Sequence, residues 1–207
     1  MTPRNVLEEG LQSMGLEVSA AARDCLLAYA ALMLKWNRVY NLTAVRDEIS
    51  VIRLHLLDSL AVLPFLEGST LADIGSGGGL PGIPLAIVRP ELSVTLVESN
   101  QKKSAFQRQA GIELGLTNLV PVCARVEQHE GAYDIVTSRA FAELVDFVSL
   151  SSHLVAPGGV LAAMKGIYPV DEIARLPTGF HVKQSIPLSV PGVEGERHLI
   201  LITGPQR

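Results

Sequence analysis

Leu71-Ala-Asp73-Ile-Gly75-Ser76-Gly77-Gly-Gly79-Leu80-Pro-Gly82 is an apolar run that closes on a carboxylate and passes straight into glycines. The run reads as a strand. Glycines at alternate positions let the chain turn tightly off a sheet and let a ligand pack directly against backbone. Asp73 ends the strand with a group able to receive a cationic amine. Counted from Gly75, the dinucleotide pattern Gly-x-Gly-x-x-Gly requires glycine at position 80, where Leu80 stands. No Lys-Ser or Lys-Thr follows in P-loop register either. A glycine-rich turn without a phosphate device suits a nucleoside ligand that carries no phosphate. S-adenosylmethionine is such a ligand, with Asp73, Gly75, Ser76, Gly77, Gly79 and Leu80 as its candidate contacts.

Outward from this loop, short β-branched runs alternate with amphipathic helices, the pattern of βαβ units and a parallel sheet. Strands are expected at Thr70–Ile74, Ser93–Val97, Leu119–Cys123, Tyr133–Thr137, Gly159–Met164, Val182–Ile186 and His198–Ile202. Helices are expected at Pro84–Arg89, Gln101–Leu114, Ala142–Leu154 and Val170–Leu176. The stretch from Pro187 to Glu196 has prolines and glycines but no helical period, which favours an antiparallel hairpin at the end of the sheet. Upstream, Ser19 can cap a helix over Ala20–Trp36, and a second helix starts near Asp47. A polar-aromatic connection, Trp36 to Thr43, joins them. The expected fold is therefore α/β: a Rossmann-like, seven-stranded, mostly parallel sheet with a helical N-terminal extension. One domain is expected over 1–207, with the extension at 1–69 and the core at 70–207.

The chain has 207 residues, 48% of them hydrophobic, enough to bury one sizeable core. No secretory pattern opens the sequence and no run of about 18 apolar residues appears, so a soluble, cytoplasmic protein is expected. Cys25 and Cys123 match no metal-ligand spacing and sit among apolar neighbours, which reads as two reduced core thiols; no metal is expected. His55 with Asp58 is too small a set to hold a metal and reads as structural. The formal net charge of −4 gives no global nucleic-acid signature, so any such contact must come from a local basic patch. Lys102, Lys103, Lys165, Arg197 and His198 are its candidates.

Glu98 ends the second strand about 20 residues after the glycine loop, where an acid can accept hydrogen bonds from ribose hydroxyls. Val126 and Glu127 follow the third strand, at the level of an adenine. Arg139 follows the fourth strand and is placed to orient an acceptor or a cofactor carboxylate. That strand lacks Asn/Asp-Pro-Pro-Tyr/Phe, which holds an exocyclic amine, and lacks a Pro-Cys nucleophile. An acceptor with a free lone pair, such as guanine N7, needs neither device nor a general base. Alignment alone can then contribute about 7–11 kcal/mol to the barrier. A methyltransferase acting on a small molecule or protein, a non-enzymatic nucleoside- or RNA-binding module and a nicotinamide-linked oxidoreductase remain rivals, the last disfavoured by Leu80.

Trp36-Asn-Arg-Val-Tyr-Asn-Leu-Thr43, His55-Leu-Leu-Asp58-Ser59, the glycine loop with its Leu80-Pro-Gly82 continuation, Arg125-Val-Glu127, Ser138-Arg-Ala-Phe141, Lys165-Gly166 and Gly195-Glu-Arg-His-Leu199 occur in this order. Together they resemble the bacterial 16S ribosomal RNA guanine-N7 methyltransferases, the RsmG or glucose-inhibited division protein B family. The resemblance implies S-adenosylmethionine as methyl donor and one guanine N7 in the decoding-region loop of 16S rRNA as acceptor. It also implies presentation of that guanine within the small ribosomal subunit. It carries cofactor contacts onto Gly75, Leu80, Val126, Glu127 and Arg139; Glu98 stands where many relatives have Asp. One departure is Leu54, where relatives usually have Arg, with Arg53 one step earlier. A monomer is the expected state.

Overall fold

Seven strands form one sheet in the computed structural model, which describes residues 1–205. They are β1 (Thr70–Ile74), β2 (Ser93–Glu98), β3 (Leu119–Cys123), β4 (Tyr133–Arg139), β5 (Val155–Lys165), β6 (His181–Pro187) and β7 (His198–Thr203). Their order is β3-β2-β1-β4-β5-β7-β6, with β1 to β5 mutually parallel. β7 inserts between β5 and β6 and runs antiparallel to both, which gives the terminal hairpin expected from the sequence. Because the chain starts at β1, walks outward to β3 and returns to β4, the strand order reverses between β1 and β4. A crevice opens at such a reversal, beyond the carboxyl ends of the strands. Residues 206 and 207, the end of the span assigned to the core, lie outside the described residues.

All seven expected strands are present, and β5 starts earlier than expected. Pro157-Gly158-Gly159 reads as a break, yet Val155 already pairs with Tyr133 and the register shifts before Ile135 meets Val160. A bulge absorbs the breakers.

The N-terminal helices are α1 (Pro3–Ser13), α2 (Ala20–Tyr40), α3 (Glu48–Val51) and α4 (Asp58–Leu60), the last two joined by a π-helical segment, Ile52–Leu57. The sequence reading missed α1, although its signals are local: the Thr2 hydroxyl accepts from Asn5 N–H and Pro3 opens the first turn. It also ended α2 at Trp36, whereas the helix continues to Tyr40. Asn41 then terminates it at φ 49°, a left-handed position that Asn tolerates. Around the sheet follow α5 (Gly82–Val88), α6 (Gln101–Glu113), α7 (Leu144–Ser151) and α8 (Val170–Ala174).

Strand parity divides the core. Leu71, Leu96 and Ile135 pack with Leu26, Tyr29, Met33, Leu56 and Leu57 of the N-terminal helices. Ala72, Ile74, Val97 and Val136 face the opposite way, toward Phe147 and Val148 of α7. Burying each such aliphatic or aromatic side chain stabilises by about 1.5–3 kcal/mol. The same alternation sends Asp73 on β1 and Arg139 on β4 toward the N-terminal helices. Cys25 and Cys123 are both free, but only Cys25 is partly buried, and Cys123 is exposed rather than in the core because β3 is the edge of the sheet among the described residues. Among the described residues no helix is long and apolar enough to cross a membrane.

Candidate active site

The loop after β1 leaves the sheet with Gly75 N–H donating to Val97 O at 2.9 Å, and turns through Gly75 at φ 64° and Gly77 at φ 55°. Both angles lie in the left-handed region, where a side chain is strained. Four buried polar side chains hold this loop from below. Asp73 Oδ2 accepts Gly82 N–H at 2.9 Å. Glu98 Oε2 accepts Gly77 N–H at 2.8 Å while its Oε1 accepts Asn100 N–H at 2.8 Å. Gln107 Nε2 on α6 donates to Ser76 Oγ and to Gly77 O, each at 2.8 Å. The Tyr29 hydroxyl on α2 donates to Gly78 O.

Asp73 was expected to meet a cationic amine and Glu98 a ribose. Both are buried, and neither lines the two cavities beside the loop; here they act as clamps on its backbone. Burial pushes the Asp73 carboxyl up to about 7, partly offset by the Gly82 hydrogen bond, and its Oδ1 has no partner. Tyr29 and Gln107 escaped sequence reasoning. Each sits mid-helix at an ordinary buried position, and only the fold brings it to the glycines.

A cavity of about 540 Å³ lies over the loop. Gly75, Ser76, Gly77, Gly78 and Leu80 form its floor, and Thr43, His55 and Asp58 of the N-terminal segment form one wall. Arg139, Lys103, Lys165, Arg197 and His198 also line it, so most of the basic candidates meet at one opening. A second cavity, about 180 Å³, is lined by Gly75, Arg125, Val126 and Glu127 together with the apolar Ile74 and Val97. Gly75 is common to both. The Phe141 ring lies where a Cβ on Gly75 would project, and it lines the smaller cavity. Ala140 before it is held at φ 55°.

Arg139 lies in a partly buried ionic cluster around the buried Asp58. Its Nη1 donates to Asp58 Oδ2 and to Leu54 O, both at 3.0 Å, and its Nη2 lies 3.3 Å from His55 Nδ1. Arg197 Nε donates to the other Asp58 oxygen, Oδ1, at 3.0 Å. His55 Nε2 pairs with Thr43 Oγ1 at 2.7 Å. Burial, and then the neighbouring Arg139 charge, lower the His55 imidazole to about 4, so it is neutral at physiological pH. One carboxylate therefore faces two guanidinium groups and the cavity retains positive charge, which suits a carboxylate or phosphate. The other cations differ. Lys165 Nζ donates to Glu172 at 2.7 Å and to Ala142 O at 2.9 Å, pinning the segment after β4. Lys102 is exposed and off the cavity wall, while His198 Nδ1 pairs with Gly166 O at 2.7 Å.

Residues 23–200 match the family model described as rRNA small subunit methyltransferase G. The chain is 58% identical to the ribosomal RNA small subunit methyltransferase G of Aromatoleum aromaticum, covering 95% of this chain and 96% of that one. It is 59% identical to the protein of that name from an Azoarcus species, covering 95% and 94%. A solved SAM-dependent methyltransferase from Aquifex aeolicus superposes with a TM-score of 0.56 at 17% identity, over 74% of this chain and 92% of that one. That likeness bears on the fold, a Rossmann-like methyltransferase architecture.

Proposed function

The chain belongs to the rRNA small subunit methyltransferase G family, and from that premise we propose that it transfers a methyl group from S-adenosylmethionine to N7 of one guanine in the decoding-region loop of 16S rRNA. The acceptor is presented within the small ribosomal subunit, and the enzyme works in the cytoplasm as a monomer. One observation carries the reading: Gly75 lines both a small cavity of mixed apolar and polar walls and a larger cationic one.

The residues present fit S-adenosylmethionine. Val126 and Glu127 offer backbone and a carboxylate beside the apolar Ile74 and Val97 in a cavity of about 180 Å³, where the adenine would be held. Glu98 Oε1 and Oε2 each accept one backbone N–H, so Glu98 acts on the cofactor through the Gly77 backbone that it holds, each oxygen retaining a further lone pair. Arg139 presents the guanidinium that a methionine carboxylate requires. No Cβ fits on Gly75 beside Phe141, so only glycine leaves the backbone bare at the point where both cavities reach it. When bound, S-adenosylmethionine supplies an electrophilic methyl group on a positively charged sulfur.

What this chain adds is alignment. Guanine N7 carries its own lone pair, so no side chain has to remove a proton before transfer. Leu80 and the glycine backbone form the floor below the acceptor space, and Arg197, His198 and Lys103 line its rim, where rRNA phosphates and base edges are met. Holding nucleophile, methyl and sulfur in line is the contribution, of about 7–11 kcal/mol.

Radiolabelled methyl transfer to purified small subunits lacking base modifications, run beside protein-free 16S rRNA, tests the proposal. Label on RNA is expected from the unaltered protein and is expected to be lost in Arg139→Ala. Tight cofactor binding with no label on either substrate contradicts an RNA acceptor.

A further inference from the structure

Asp58 is a buried carboxylate whose two oxygens serve two different arginines from distant parts of the chain. Its side chain is 7% exposed; Oδ2 takes Arg139 Nη1 and Oδ1 takes Arg197 Nε, each at 3.0 Å. The partners lie 81 and 139 residues away, on β4 and just before β7. We propose that Asp58 is a positioning residue for methyl transfer, joining the cofactor-side Arg139 to the acceptor-side Arg197 so that the two are held as one unit across the cavity.

The argument rests on the function proposed above and on three features of the geometry. First, Asp58 follows the π-helical Ile52–Leu57 segment, and π-turns in otherwise α-helical segments recur at functional sites. Second, burying a carboxylate is costly unless it is fully paired, and where packing alone is needed an apolar residue of similar size serves as well or better. Asp58 lines the cavity wall rather than the helix–sheet core, where such pairing has a use beyond packing. Third, each arginine has a second anchor that fixes its direction. Arg139 Nη1 also bonds Leu54 O, and Arg197 Nη1 bonds Glu196 O at 2.7 Å. Arg197 Nη2 meets no acceptor among the described residues and remains available at the acceptor rim. A shift of either guanidinium is therefore transmitted to the other through a single carboxylate.

A double-mutant cycle tests this. Arg139→Lys and Arg197→Lys keep the charge but lose the planar fork. They are made singly and together, in the Asp58 background and in Asp58→Asn, with thermal unfolding confirming that each variant is folded. Two quantities are read: S-adenosylhomocysteine affinity by calorimetry, and kcat and KM for small subunits. With Asp58 present, the two arginine substitutions are expected to be non-additive by at least about threefold in both readouts, as for residues sharing one network. In the Asp58→Asn background they become additive, and kcat falls about 100-fold, the scale of a misplaced reacting group. Additivity of the arginine pair in the Asp58 background overturns the proposal, even if Asp58→Asn does not fold. Absence of methyl transfer by the unaltered protein instead contradicts the proposed function, and the calorimetric cycle still decides whether Asp58 couples the two arginines.

Discussion

Gly75 is constrained twice over, because its φ of 64° disfavours any side chain and the space a Cβ would need is taken by Phe141. Gly75→Ala is expected to destabilise the protein by about 1–2 kcal/mol through the left-handed backbone alone, and to weaken S-adenosylmethionine binding more than tenfold in calorimetry, since two cavities meet there. Unchanged affinity would remove Gly75 from the cofactor site. His55 gives a second residue-scale test. Its imidazole is lowered to about 4 in the folded protein, so between about pH 4 and the unfolded value near 6.5 the unfolded chain binds the extra proton. Stability therefore rises with pH through that window, by up to about 3 kcal/mol from this group, and is flat above it. His55→Gln is expected to lose that part of the slope in urea unfolding at pH 4.5 and 7.5; an unaltered difference between the two pH values would contradict a buried neutral imidazole. At this scale the sequence was legible where chemistry is local: glycines at alternate positions and acids ending strands are visible as written. What those acids touch was not. Asp73 and Glu98 spend hydrogen bonds on Gly82, Gly77 and Asn100, because the loop folds back over the strand ends and buries both carboxylates beneath it.

Elements explain why the N-terminal helices belong to the chemistry. Tyr29 reaches from α2 to Gly78 O, and Asp58 and His55 reach from the π-helical segment and the turn after it to Arg139. Tyr29→Phe removes the donor while leaving a buried carbonyl behind, which costs about 1–3 kcal/mol. Urea unfolding is expected to report that loss, and calorimetry a several-fold weaker cofactor affinity; full affinity at reduced stability would confine Tyr29 to packing. Strand positions could be read from short apolar, β-branched runs because such side chains pack well on a buried pleated sheet, and all seven were found. Helix lengths were less legible. The end of α2 depends on Asn41 in a left-handed conformation, α1 depends on a short Thr-Pro start, and the widened turn at Ile52–Leu57 has no sequence period of its own. The pairing of β4 with the N-terminal segment through Arg139 is a tertiary fact, set by strand parity and by which face α2 covers.

The whole molecule carries a formal charge of −4, yet Lys103, Arg139, Arg197 and His198 converge on one cavity. Binding to ribosomal RNA is therefore expected to depend on a few phosphate contacts, with affinity falling as salt rises. The expected basic patch was legible as scattered cations, but the fold divides them: Lys165 is held by Glu172 and Arg197 by Asp58, Lys103 and His198 line the cavity, and Lys102 lies off its wall. In the proposed function these parts align a single guanine N7 with a methyl donor. The measurement that tests it most directly is borohydride–aniline strand cleavage of 16S rRNA after incubating unmodified small subunits with the enzyme and S-adenosylmethionine. One new cleavage is expected, in the decoding-region loop, absent with Arg139→Ala. Methyl incorporation into that RNA without any N7-dependent cleavage would contradict it.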